Sequence, residues 1–244
     1  MRPRTAILLA AAAVYIVGEC LPLGAQILYP LSLFTTWVHE MGHGLTALVL
    51  GGSFDKLQIF ANGSGLALCG ARSGWPEALV SLGGLLAPPL LGAAILGLVH
   101  GPRRATTLLA GLAIGLVVSL AIYVRSPAGL VAMPIVALAL AAAAWGWRAH
   151  PERRVILAQA LGVILALDTA TRMVSYVFTA KVEVDGQVDA SDIANVAENL
   201  GGNYIFWGIG VTAVALGMLA LGLWRAWSRP EPRVISRRRS SSSE

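Results

Sequence analysis

His39, Glu40 and His43 stand in the run Trp37-Val38-His39-Glu40-Met41-Gly42-His43-Gly44, a spacing that suits metal chemistry. If residues 31–50 form a helix, the two histidines lie one turn apart on one face. Their imidazoles can then converge on one ion, with Glu40 beside them to handle a proton. The flanks, Leu-Ser-Leu-Phe-Thr-Thr-Trp-Val and Leu-Thr-Ala-Leu-Val-Leu, are almost wholly apolar. A polar trio is costly in such a segment, and ionisable residues inside apolar spans are functional candidates. The competing reading is a pair of buried histidines hydrogen-bonded to a neighbouring helix, with Glu40 paired to an Arg. The concentration of two of the chain's four histidines in this segment favours metal binding.

A catalytic zinc site takes three protein ligands and keeps a fourth position open. Asp168, well inside the apolar run 155–179, is the expected third ligand. An ionised Asp at mid-bilayer costs about 2.5–3.5 kcal/mol on insertion scales, and a dication is a compensating partner. Arg172, at i+4 from Asp168, offers an ion pair instead, or an outer partner to the same ligand. Asp185 and Asp192 rank lower, because the polar stretch 181–202 reads as a solvated acidic loop. Glu19 could face the site from the first helix or snorkel to the surface. His100 and His150 sit beside prolines in basic loops and read as solvated interface residues. Cys20 and Cys69 are too few for a disulfide framework or a thiolate zinc site.

The elements that must position these residues are membrane spans. The chain is 56% hydrophobic and 13% charged, with mean hydropathy +0.70, against about 25% charged in soluble domains. The net charge of +5 resides in short loops and the tail, so it reads as topology signals and anionic-lipid contacts rather than a nucleic-acid interface. Apolar runs at 5–28, 31–50, 76–99, 105–124, 128–147, 155–179 and 203–227 are each long enough to cross a bilayer. The expected fold is an all-α polytopic membrane protein of about six to seven transmembrane helices. Residues 1–228 are expected to form a single membrane-embedded domain, with 229–244 a basic, Ser-rich disordered tail. Residues 52–72 alternate polar and apolar and turn at Asn62-Gly63-Ser64-Gly65, which predicts a small β-hairpin after the second helix. Ser191 is a plausible N-cap for a short helix ending at Gly201-Gly202. The Ala-, Leu- and Arg-rich composition points to a bacterial source, hence a multi-pass protein of the bacterial plasma membrane.

Taken together, these residues resemble the site-2 protease family of intramembrane zinc metallopeptidases, in its compact bacterial peptidase M50B-like branch. The resemblance is carried by His39-Glu40-Met41-Gly42-His43-Gly44 in an apolar helix and by the glycine-rich segment from Gly51-Gly52 to Gly65. A helix from Trp75-Pro76 with Gly83-Gly84 follows, then Asp168, Ser191-Asp192 and Phe206-Trp207. It implies a zinc metalloendopeptidase that cuts a membrane-anchored protein, with Zn2+ on His39, His43 and Asp168 and Glu40 as general base. It also implies that the 52–72 hairpin lends a strand edge to an unwound substrate. Two other readings use the same cluster: a transporter or ion- or proton-translocating protein, and a catalytically inactive membrane scaffold. No internal repeat and no second line of intramembrane polar residues supports translocation.

Overall fold

The computed structural model describes residues 3–21, 23–147, 150–177, 179–184 and 186–228. The side chains of residues 3–7, 19, 20, 25 and 168–177 lie outside the described set. The chain is mostly helical. Helices α1 (Pro3–Cys20) and α2 (Gly24–Val49) are followed by strands β1 (Ser53–Ile59) and β2 (Gly65–Gly70). Helices α3 (Trp75–Leu98), α4 (Pro102–Ile122), α5 (Pro127–Gly146) and α6 (Pro151–Val177) come next. A second strand pair, β3 (Lys181–Val184) and β4 (Gln187–Ala190), leads into α7 (Asp192–Leu200) and α8 (Tyr204–Ser228). Proline opens α3, α4 and α5 within their first two positions, where the missing N–H costs no helical bond.

Among the described residues, α3, α4, α5 and α8 are long and apolar enough to cross a membrane. Helix α2 is longer, with 26 residues. Its Thr35, Thr36, His39, Glu40 and His43 dilute the apolar character that marks the other four.

Helix α3 is the hub. It packs on α2, α6, α7 and α8. Its crossing with α2 is a backbone-to-backbone approach, since a β-carbon at Gly42 would run into the Gly83 carbonyl. Small residues permit this closeness, which is how helices associate without a hydrophobic driving force between them. At the far end of α3 the Gln159 side chain donates to the Val99 carbonyl at 3.1 Å. Nearby, the Arg154 guanidinium donates to Thr106 Oγ1 at 2.9 Å, so the basic starts of α4 and α6 share one end of the bundle.

The β1–β2 pair is antiparallel, running from Ile59 opposite Gly65 to Ser53 opposite Gly70, with a register shift between Phe54 and Lys56. Two side chains of α2 hold its turn: Thr36 Oγ1 donates to the Gly63 carbonyl at 2.8 Å and the Tyr29 hydroxyl to Ala61 O at 2.9 Å. The outer edge of β1 is closed. Leu57 N–H donates to Tyr123 O at 2.8 Å, Arg125 N–H to Leu57 O at 3.0 Å, and Ile59 N–H to Ser126 Oγ at 2.8 Å. Beneath the hairpin lies the main apolar core, in which Phe34, Leu57, Ile59, Leu109, Leu116 and Met133 are fully buried. Trp37 is tied into it by its indole N–H, which donates to Ser119 Oγ at 2.8 Å.

Candidate metal centre

The i, i+4 spacing does on α2 what helical geometry requires. The His39 and His43 rings meet edge to face, with centroids 4.7 Å apart and Nε2 atoms 3.1 Å apart. His43 is 9% exposed and Glu40 5%. His43 is oriented from outside the motif: its Nδ1 lies 2.9 Å from the Val80 carbonyl of α3. Nδ1 therefore carries the proton in the neutral ring, and Nε2 presents its lone pair towards His39.

The carboxylate that reaches these nitrogens is Asp192. Its Oδ2 stands 3.1 Å from His39 Nε2 and 3.4 Å from His43 Nε2. Asp192 is the first residue of α7, placed there by local chemistry. Ser191 caps the helix, its hydroxyl accepting from Ala194 N–H at 3.2 Å. The apolar face of α7, with Ile193, Val196 and Ala197, is buried, and Ile193 packs with Leu85 of α3 and Val211 of α8. Gly74 N–H donates to Asn199 Oδ1 at 2.7 Å, tying the other end of α7 to the start of α3.

Three donors, two Nε2 and one Oδ2, thus lie within 4.8 Å of one another. Tetrahedral ligands at zinc-bond lengths of roughly 2.0–2.2 Å stand about 3.3–3.6 Å apart. The observed separations are 3.4 Å, within that range, and 3.1 and 3.1 Å, just under it. The donor set, two neutral imidazoles and one carboxylate, is one that zinc takes in peptidases. The residues present therefore fit a zinc ion, with the fourth direction left to the cleft. That cleft, of about 930 Å³, is lined by His39, Glu40, His43 and Asp192, by β2, and by β3 with parts of β4.

The profile of the Peptidase M50B-like family matches residues 5–222. The chain belongs to this family. No curated protein and no solved structure matches it. The match spans the helical body of this M50B-like protein and both segments that meet at the candidate metal centre, and it supports the resemblance to site-2 proteases. With its apolar helices, it makes the chain an integral membrane protein.

Two close contacts hold the M50B-like site in shape. Gly84 of α3 lies flat against the His43 imidazole, so that a β-carbon there would fall on the ring. Gly84→Ala should therefore turn His43 away from Asp192 and weaken zinc binding by about 10–100-fold, the usual cost of disturbing a ligand's support. Competition against a calibrated chelator reads this directly. Gly65, at the start of β2, is the second contact: a β-carbon would sit 2.6 Å from Glu40 Oε1. The carboxylate of Glu40 also receives the Ala67 backbone N–H. The first hairpin is thus the wall against which Glu40 is held.

Cys69 also lines the cleft. Burial, with the Glu40 and Asp55 carboxylates nearby, pushes its thiol up to about 12, which makes it a protonated thiol rather than a thiolate ligand at neutral pH. Of the residues singled out in the sequence, His39, His43 and Glu40 come together here. Asp168 lies on α6, and its side chain falls outside the described residues, as do those of Glu19 and Arg172. Asp192, ranked low because its neighbours are polar, is the carboxylate that meets both imidazoles. The usable signal was the Ser191-Asp192 pair at a helix start, which fixes a carboxylate on a rigid element rather than in a solvated loop.

Proposed function

We propose that this protein is an intramembrane zinc metalloendopeptidase of the bacterial plasma membrane that hydrolyses a peptide bond of a membrane-anchored protein. The observation that carries the proposal is the convergence of His39, His43 and Asp192 beside a buried glutamate, on a helix among apolar spans. Asp192 is taken as the third ligand in place of Asp168 because its carboxylate reaches both Nε2 atoms. Bound by these three, zinc would supply Lewis acidity, polarising a carbonyl and making water acidic near neutral pH.

The chain's own residues do the rest. Glu40 takes the proton of the attacking water and returns it to the leaving nitrogen. Val80 keeps His43 in the tautomer that leaves Nε2 free. A substrate helix must unwind first, because its carbonyls are satisfied internally. The open edge of β2 supports the next step. Leu57 and Ile59 direct their backbone groups away from β2, towards residues 123–126. In an antiparallel ladder their partners Ala67 and Gly65 then direct theirs away from β1. The Ala67 N–H is taken by Glu40, and the Ala67 carbonyl with the backbone groups of Gly65 can hold an extended substrate beside it.

Purified protein is expected to carry about one zinc per chain, by elemental analysis, and to cut a single-span reporter in proteoliposomes. Cleavage should stop on chelation and return with added zinc. Full activity in the metal-free protein, or zinc flux without proteolysis, would overturn the proposal. A second outcome concerns Glu40 alone. Gly65→Ala should lower cleavage about tenfold or more, within the range of general-base losses, while zinc content stays at the native value.

A further inference from the structure

The second strand pair is unabsorbed by the metal chemistry, yet all of β3 lines the same cleft as β2. Its hydrogen-bonding pattern follows from the register. Lys181 pairs with Ala190, Val182 with Asp189, Glu183 with Val188 and Val184 with Gln187. Ser191 N–H donates to Ala180 O at 2.9 Å, so the pair 180/191 is a hydrogen-bonded one. Alternation then makes Val182/Asp189 and Val184/Gln187 hydrogen-bonded pairs as well, and leaves the N–H and C=O of Lys181 and Glu183 pointing away from β4. Among the described residues the sheet ends at β3 on that side. The cleft is therefore bordered by two strand edges: Gly65 and the Ala67 carbonyl of β2, whose Ala67 N–H is taken by Glu40, and Lys181 and Glu183 of β3. The metal-binding trio lines the same cleft.

We infer that the β3–β4 hairpin is the second half of a substrate clamp: an extended segment of the substrate lies between β2 and β3 and bonds to both edges. The inference rests on the peptidase reading above. An extended chain sends the N–H and C=O of alternate residues to opposite sides, so one edge reads the odd residues and the other the even ones. The second edge answers a need that one edge leaves open. A segment leaving a helix within a bilayer must find partners for all its backbone groups, not half of them. The clamp is also joined to the metal. Strand β4 ends at Ala190 and α7 begins at Asp192, with only the cap residue Ser191 between them. Closure of β3 on a substrate thus acts on the same short segment that sets the Asp192 carboxylate.

The test uses the full zinc-loaded chain and a synthetic probe, an extended valine- and alanine-rich hexapeptide ending in a hydroxamate. The probe is made unmethylated, N-methylated at odd residues, and N-methylated at even residues. Each blocked backbone bond should weaken binding about 3–10-fold, so both methylated probes are expected to bind worse than the parent. Glu183→Pro removes an N–H from the outward edge of β3, a donor for a substrate carbonyl, and leaves the β3–β4 ladder intact. It should weaken the unmethylated probe about 3–10-fold at unchanged zinc content. Lys181→Pro is the second variant and should do the same. If only one register matters in the native protein, or if neither proline variant weakens the unmethylated probe, the two-edged clamp is wrong and the single β2 edge remains. If the unmethylated probe binds no better than a simple hydroxamate without a peptide, no strand edge is used and the clamp falls while the metal site stands. If no hydroxamate binds to the zinc-loaded protein, the peptidase reading itself fails and takes the clamp with it.

Discussion

Asp192→Ala is expected to lose its zinc, with affinity falling by more than the roughly 10–100-fold that follows disturbance of an outer partner. Asp168→Ala is expected to keep a full complement. The reasoning is geometric. Asp192 Oδ2 stands 3.1 and 3.4 Å from the two imidazole nitrogens, and no other carboxylate among the described residues joins that trio. Removing it leaves two imidazoles and an open side to the site, too few for the three-ligand set a catalytic zinc requires. Asp192→Asn is the control for folding. It keeps the size of the side chain at the start of α7 and leaves the Ser191 cap in place, so the protein should remain helical by circular dichroism while binding zinc weakly. Zinc retained in Asp192→Ala and lost in Asp168→Ala would reverse the assignment of the third ligand.

Glu40→Gln should abolish measurable proteolysis, a loss of about 10²–10⁴-fold from removal of a general base, with zinc bound as in the native chain. Glutamine is nearly the same shape, and its amide oxygen can accept the Ala67 N–H that the carboxylate receives. The buried position, 5% exposed, therefore stays filled and satisfied. What is lost is the capacity to take a proton. Elemental analysis and a cleavage assay on the same preparation separate the two effects. Equal activity in Glu40→Gln and native protein would remove Glu40 from the mechanism, and loss of zinc in that variant would make it a ligand or a support.

These two variants probe different levels of the structure, and the levels differ in how they could be read from the chain. The pairing of His39 with His43 and the placing of Glu40 beside them is local: a helix puts i and i+4 on one face whatever surrounds it. Turn and cap chemistry is local too. Gly63 takes a φ of 86° in the turn between β1 and β2, and Ser191 caps α7 with its own hydroxyl. Local rules also marked the apolar segments of α3, α4, α5 and α8, the first three of which open on proline within their first two positions.

The third ligand is a different matter. Asp168 drew notice because a charge in an apolar run is expensive, which is a statement about its neighbours in sequence. Asp192 ranks lower for the mirror-image reason, since charges in a polar stretch cost little. Neither argument bears on which carboxylate meets α2 in space. That was decided by Ile193, Val196 and Ala197, whose burial, with Ile193 against Leu85 and Val211, carries the first turn of α7 to the histidines. It was decided as well by the Gly42–Gly83 approach, which lets α3 press Val80 and Gly84 onto His43. Thus the sequence by itself determined a two-histidine, one-glutamate face on an apolar helix, because helical periodicity is a property of the backbone. The tertiary structure decided which carboxylate among the described residues meets both imidazoles and which strands line the same cleft, because contacts between elements depend on how their surfaces pack.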